Sequence, residues 1–231
     1  EHVHLPFSVK QIGSYAFADC KLLKTVEISV DSQLNEIEEG SFYNTSIEFV
    51  YIPKSVKIIE KFAFCFCSYL NCIEFDENSE LVSIGKNCFT DSFIEKLKIP
   101  KNLASIGSSS FRGCPYLNEI EIDKNSNLES IEKFTFSETS VVNVCIPKKI
   151  SKLNEKVFQN CIKLMTLELL ADDVVFCLSS LNYCVSFKMI AFPNANKITF
   201  LDDFYSIYSY GFTLFTCSNA LILKQQKDLN F

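Results

Sequence analysis

One spacing constrains this chain more than any other feature. Phe17, Phe64, Phe111 and Phe158 each stand 47 residues after the last. The same step carries Cys20 to Cys67, Cys114 and Cys161, and Leu23 to Leu70, Leu117 and Leu164. Two apolar sites follow each Leu: Val26/Ile28, Ile73/Phe75, Ile120/Ile122 and Leu167/Leu169. A second set, Phe42, Phe89 and Phe136, lies between these, with Thr45, Ser92 and Thr139 in place of Cys. The chain thus alternates coils of 25 and 22 residues, starting at Ile12, Ile37, Ile59, Ile84, Ile106, Ile131 and Leu153. Phe176, Leu181, Cys184, Phe187, Ile190, Phe192 and Pro193 fit an eighth, weaker coil, and the register fades after about residue 194. Self-similarity at such a period is the signature of a stacked-coil solenoid.

Two local signals define each coil. Ala16-Phe17-x-x-Cys20-x-x-Leu23 places apolar residues three apart, which predicts a short helical or 3₁₀ turn with one buried stripe. Val26-Glu27-Ile28 has period two and β-branched residues, which predicts a short strand. Pro53, Pro100 and Pro147 end the strands of the shorter coils, because proline has no N–H for a sheet ladder. The longer coils run instead into Asp76-Glu77-Asn78-Ser79 or Asp123-Lys124-Asn125-Ser126, residues that favour turns. One coil cannot bury its own apolar stripe. Stacking buries it, and eight coils would build a parallel sheet about 35 to 40 Å long.

Composition narrows the function. The net charge is −6 and there is no basic block, which argues against nucleic acid. No apolar run reaches the length of a membrane span. The sequence shows no signal-peptide pattern, no P-loop and no dinucleotide fingerprint. His2 and His4 are the only histidines and stand at an end expected to fray. A Cys-His or Ser-His pair therefore has no base inside the fold, and the reading is non-enzymatic, with no cofactor, metal or small-molecule substrate. Leu5-Pro6-Phe7-Ser8-Val9 aligns with Ile52-Pro53-Lys54-Ser55-Val56, so the first coil is expected to be truncated.

Eleven cysteines are present, and five share one repeat position. Cys20, Cys67, Cys114 and Cys161 lie two coils apart, about 9 to 10 Å, too far for disulfides. They read as a ladder of buried thiols acting as small apolar groups. Cys161 and Cys184 fall in adjacent coils, where a bond would be strained. Cys88 takes the small position of Ala16, Ala63 and Ser110. Cys145 sits at an outward strand site and is expected to be an exposed thiol.

That outward site forms the candidate binding strip: Glu27, Tyr51, Glu74, Lys98, Glu121, Cys145 and Glu168, followed by Ala191. Period two turns these side chains away from the core. They read either as a solvated face or as an acidic and aromatic surface for a protein partner. Lys98 could pair across strands with Glu74 or Glu121.

The motif I-G-x-x-A-F-x-x-C-x-x-L-x-x-I-x-I, carried by Ile12 to Cys20 and by Ile106 to Ile122, resembles the BspA-like (Treponema-type) leucine-rich repeat. The resemblance spans residues 5 to about 193. It implies an α/β, right-handed, horseshoe-like leucine-rich repeat solenoid of about eight coils. Residues 1–193 would form the solenoid and 194–231 a degenerate repeat or C-terminal cap, with a possible helix stripe of Phe204, Ile207 and Tyr208. It further implies a cell-surface or secreted, adhesin-like module that binds host or matrix proteins. The alternative is an intracellular scaffold, which the unpaired thiols favour.

Overall fold

A computed structural model describes residues 1–201, 213–216 and 221–224. The chain winds as a parallel solenoid of about nine turns. One face is built from His2–Leu5, Thr25–Ile28, Phe49–Ile52, Cys72–Phe75, Lys96–Lys98, Glu119–Glu121, Asn143–Ile146, Thr166–Leu169, Met189–Phe192 and Thr213–Thr216. A second face is built from shorter strands, Gln11–Ile12 through Ser130–Ile131, one per coil. It continues in Lys152–Leu153, Asp173–Phe176, Lys197–Phe200 and Leu221–Lys224. All pairings are parallel, between successive coils. Both sheets run on past residue 193. The possible helix stripe of Phe204, Ile207 and Tyr208 lies outside the described residues.

The third side differs from the helical turn that the three-residue spacing suggests. Leu178–Leu181 is the one helical element among the described residues. Elsewhere the segment is a run of turns that divides its donors. Ala16, Ala18 and Cys20 donate N–H groups three residues back, to Gly13, Tyr15 and Phe17. The alternate donors, Tyr15, Phe17 and Asp19, bond to the carbonyls of Glu39, Ser41 and Tyr43 in the next coil, each at 2.8 Å. A helix would spend all these N–H groups within one coil. Here half of them form a third ladder along the stack. The arrangement needs left-handed backbone two residues before and two after each ladder Phe. Those residues are Tyr15 and Asp19 around Phe17, Phe62 and Phe66 around Phe64, and Phe134 and Glu138 around Phe136. Gly40 and Gly113 fill two of the stations, with φ of 59° and 69°. For non-glycine residues this conformation costs about 1–2 kcal/mol each.

What holds this strained side is the column it encloses. The two interleaved sets of phenylalanine merge into one stack: Phe17, Phe42, Phe64, Phe89, Phe111, Phe136 and Phe158. Neighbouring ring centroids lie 5.1 to 5.8 Å apart and the planes tilt by 2° to 16°. All but the terminal Phe17 are fully buried. Each such ring contributes about 2–3 kcal/mol by burial, and stacking adds about 0.5–1.5 kcal/mol. The residue before five of the seven rings is small and buried: Ser41, Ala63, Cys88, Ser110 and Thr135. Ser110 and Thr135 return their hydroxyls to carbonyls three residues back, Gly107 and Glu132. Past Phe158 the column station passes to Leu181, and Phe176, Phe192 and Phe200 pack edge-on at 6.0 to 6.3 Å.

Beside the column runs the cysteine ladder, and it is a hydrogen-bonded one. Thr45, Ser92 and Thr139 each bring a hydroxyl to 3.3 Å from the thiols of Cys67, Cys114 and Cys161. Those thiols donate to the carbonyls of Phe42, Phe89 and Phe136 in the preceding coil, at 3.1, 3.3 and 3.0 Å. Cys184 donates to the Phe158 carbonyl at 3.0 Å, and it is not bonded to Cys161. The thiols are therefore polar rungs as well as packing groups. Cys20, at the end of the stack, is exposed rather than buried. Burial pushes the Cys114 thiol up from 9.0 to about 12, against the Ser92 hydrogen bond, and the Cys161 thiol to about 11.

Loop chemistry follows the sequence reading. The Asp76 and Asp123 carboxylates accept the N–H groups of Asn78 and Asn125 at 2.8 and 2.7 Å. Buried Ser79 and Ser126 accept from Leu81 and Leu128.

Phe111→Ala should cost about 3–5 kcal/mol. Because coils touch only their neighbours, it should also split thermal unfolding into two transitions, which calorimetry would resolve. Phe17→Ala, at the end of the column, should cost far less. Cys114→Ala should cost about 1 kcal/mol or somewhat more, and Cys114→Asp much more, through a buried unpaired charge. The Cys114 contribution is intact below pH 9.0, the unfolded value, and is lost as pH climbs toward about 12. Denaturant titrations should therefore show the wild-type advantage over Cys114→Ala narrowing across that window.

Candidate interaction surface

The longer strands set two outward rows on their open face, because side chains alternate along a strand. The predicted strip is the second of these rows. Tyr51 stands opposite Glu74, Lys98 opposite Glu121, Cys145 opposite Glu168, and Glu168 opposite Ala191. Glu27 stands opposite His4. The histidines expected to fray instead lie in the first strand, with His2 Nδ1 2.6 Å from the Thr25 hydroxyl and His4 Nδ1 3.3 Å from Glu27. The seven strip residues thus share one face. Glu27, Glu74, Lys98 and Glu121 are exposed, while Tyr51, Cys145 and Glu168 are half-buried.

The first outward row was not singled out in the sequence. It runs through Thr25, Phe49 and Cys72, then Lys96 and Glu119, then Asn143, Thr166 and Met189. Extending the period-two pattern one site toward the N-terminus would have found it. The cross-strand ion pair on this face belongs to it: Lys96 Nζ lies 2.8 Å from Glu119, both side chains being more than half exposed. Such a pair contributes a few tenths of a kcal/mol. Lys98, expected to pair with Glu74 or Glu121, forms no ion pair among the described residues.

Two strip residues are shaped by their neighbours. The Tyr51 hydroxyl donates to Asp76 at 2.6 Å. Burial, then this bond, pushes the tyrosine up to about 12, and the same bond lowers the Asp76 carboxyl. Cys145 is not the exposed thiol expected. It is half-buried, and burial with a hydrogen bond to Glu168 raises it to about 11. It stays protonated at neutral pH and is a poor nucleophile. At the ends of the central strands, Phe75, Asp76, Lys98, Lys101, Glu121 and Asp123 line a shallow depression of mixed charge. Among the described residues, no group of three or more His, Cys, Asp or Glu side chains is arranged to hold a metal ion. No helix among them is long and apolar enough to cross a membrane.

The glycosylation sequon Asn44-Thr45-Ser46 is engaged by the fold. Asn44 donates its amide to Asp19 at 2.6 Å, and Thr45 is buried on the thiol ladder.

Solved structures share this architecture. Pneumococcal vaccine antigen PcpA aligns with a TM-score of 0.62 at 19% identity, over 98% of this chain and 69% of that one. A leucine-rich repeat protein from Bacteroides ovatus aligns at 0.54 and 20% identity, over 96% and 70%. A leucine rich cell surface protein from Faecalibacterium prausnitzii aligns at 0.50 and 20% identity, over 91% and 62%. At these identities the likeness shows the fold. No curated protein matches the chain. The sequence itself matches the BspA type leucine rich repeat region, in 6 copies, over residues 1–114 and 82–220. The chain belongs to the BspA-type leucine-rich repeat family.

Proposed function

We propose that this chain is a non-catalytic protein-binding module that works at the cell surface or after secretion, and that it engages partners with the open face of its longer strands. The observation that carries this reading is the row from Glu27 to Glu168, presented on one face in strand register. A row of small contacts repeated from coil to coil can add up to binding without a deep pocket. Repeat families of this kind typically mediate protein contacts. Two structural relatives bear names that point outward, a vaccine antigen and a cell surface protein, and those names support the location. The acidic character of the row favours a partner with basic groups.

An intracellular scaffold is the second reading. One observation favours it: Cys65, Cys67, Cys88, Cys114 and Cys161 are buried without disulfides. Surface biotinylation of intact cells separates the two readings. Labelling of this chain is expected, and a chain that stays unlabelled beside a labelled surface control would favour the scaffold.

The row has its own test. Glu74→Gln with Glu121→Gln should leave thermal unfolding within a degree or two, since both side chains are solvated. It should weaken an isolated protein partner about tenfold or more. A change in stability without a change in partner affinity would sink the role assigned to the row.

A further inference from the structure

The repeat gives every outward position a baseline, so a local departure stands out. At the corner between the turn side and the open sheet, the shorter coils carry Ser46 and Ser140 one residue after the ladder hydroxyl. The coil that starts at Ile84 carries Phe93 there instead. The flanking longer coils place Tyr69 and Tyr116 two residues after the ladder cysteine, where Leu22 and Lys163 stand in others. These three rings fall on consecutive coils. Phe93 and Tyr116 meet edge to face at 5.0 Å, and the Phe93 N–H bonds to the Leu70 carbonyl beside Tyr69. Tyr69 is 61% exposed, Tyr116 54% and Phe93 38%, so core burial does not account for them.

Charge surrounds the rings in a definite way. Along one coil, Asp91, Phe93 and Glu95 point outward, while Ser92 and Ile94 between them point into the core. The aromatic rail is therefore edged by a carboxylate on each side. Arg112, on the turn side, is already bonded to Glu138 at 3.0 Å and lies over the Phe134 ring. Asp91 and Glu95 form no ion pair among the described residues. Burial, then the Glu138 charge, holds the Asp91 carboxyl above its usual value, against the opposing pull of Arg112. A depression opens beside Asp91, lined by Tyr43, Phe62, Phe66 and Arg112. Phe66 occupies a left-handed station that Asn44, Asp91, Gly113 and Asn160 fill in other coils. A bulky ring is costly there, and it is 40% exposed, so it returns little burial.

We propose that Tyr69, Phe93 and Tyr116, edged by Asp91 and Glu95, form a docking site for a lysine or arginine side chain on a basic segment of a partner protein. The cation would lie against the ring faces, where the aromatic quadrupole attracts it, between two carboxylates left in excess because Arg112 pairs with Glu138 and Lys96 with Glu119. The unmet negative charge selects a basic occupant over a neutral one. The proposal rests on the protein-binding reading, but its residues are distinct from the Glu27-to-Glu168 row.

The test uses a fluorescein-labelled nine-residue peptide of alternating arginine and serine, read by fluorescence anisotropy in low salt. Its glutamate counterpart and a neutral oligosaccharide are the other probes. Phe93→Ser and Asp91→Asn adopt residues that the repeat itself uses at those stations, so the fold should tolerate them. The arginine peptide should bind the wild-type chain. Phe93→Ser should weaken it about tenfold and Asp91→Asn about threefold or more. Glu74→Gln with Glu121→Gln should change it less than twofold. If Phe93→Ser shifts thermal unfolding, Tyr116→Ser, with its more exposed ring, repeats the test. The proposal is overturned if the arginine peptide does not bind, if the ring variants bind it like wild type, or if the row variant loses as much as they do. It is also overturned if the oligosaccharide binds and Phe93→Ser abolishes it, which would make the corner a sugar site. Loss of an isolated partner on the row variant alone would leave the row reading standing and this one fallen.

Discussion

The hydrogen bonds between successive coils govern everything else in this molecule. They run on three sides: two parallel sheets and the strip of turns that bonds every second N–H to the next coil. Together they fix a rise of about 4.8 Å per coil. Any residue type that recurs at one station must then tolerate its own kind at that distance. Phenylalanine does, as a near-parallel stack at 5.1 to 5.8 Å. Glutamate at that distance repels its own kind, a cost met here by Glu38 and Glu60 on adjacent coils. The alternation of longer and shorter coils keeps Glu27, Glu74, Glu121 and Glu168 two coils apart, with Tyr51, Lys98 and Cys145 between them. At about 10 Å, the Debye length near physiological salt, their repulsion is largely screened. A repeat unit of two coils is what allows an acidic face on a stack this tight.

The parts legible in the sequence are those where residue type and structural demand agree. The coil starts, the strand sites and the Asp/Ser loops were all readable, because apolar spacing and turn chemistry point the same way. The merging of two phenylalanine sets into one column follows from the same spacing once coils are stacked. The turn side was not legible. Phe62, Phe66, Phe134 and Lys156 are poor residues for left-handed backbone, and the three-residue apolar spacing mimics a helix. Only stacking resolves the conflict, since the inter-coil bonds and the ring column outweigh local preference. The hydrogen bonds of the thiols were hidden for a related reason. A buried cysteine looks like an apolar residue until the carbonyl of the coil before it is in place.

The candidate surfaces divide the same way. The row from Glu27 to Glu168 was readable because it obeys the repeat. The corner of Tyr69, Phe93 and Tyr116 was not, because it departs from the repeat in three neighbouring coils and nowhere announces itself as a motif. In a stack whose interior is set by periodicity, departures on the outside are where one coil can differ in use from the next.

The thiol ladder has a consequence for how such a chain can change length. Each cysteine rung at Cys67, Cys114 and Cys161 is matched by a hydroxyl from the shorter coil before it. Loss or duplication of a single coil would set thiol against thiol or hydroxyl against hydroxyl. Gain or loss of a pair would leave every rung matched. The one step where cysteine follows cysteine, Cys161 to Cys184, is also where the phenylalanine column stops. The pair of coils is therefore the unit that keeps every rung matched, and recombination between arrays should leave the thiol–hydroxyl ladder unbroken only when it keeps that pair in phase.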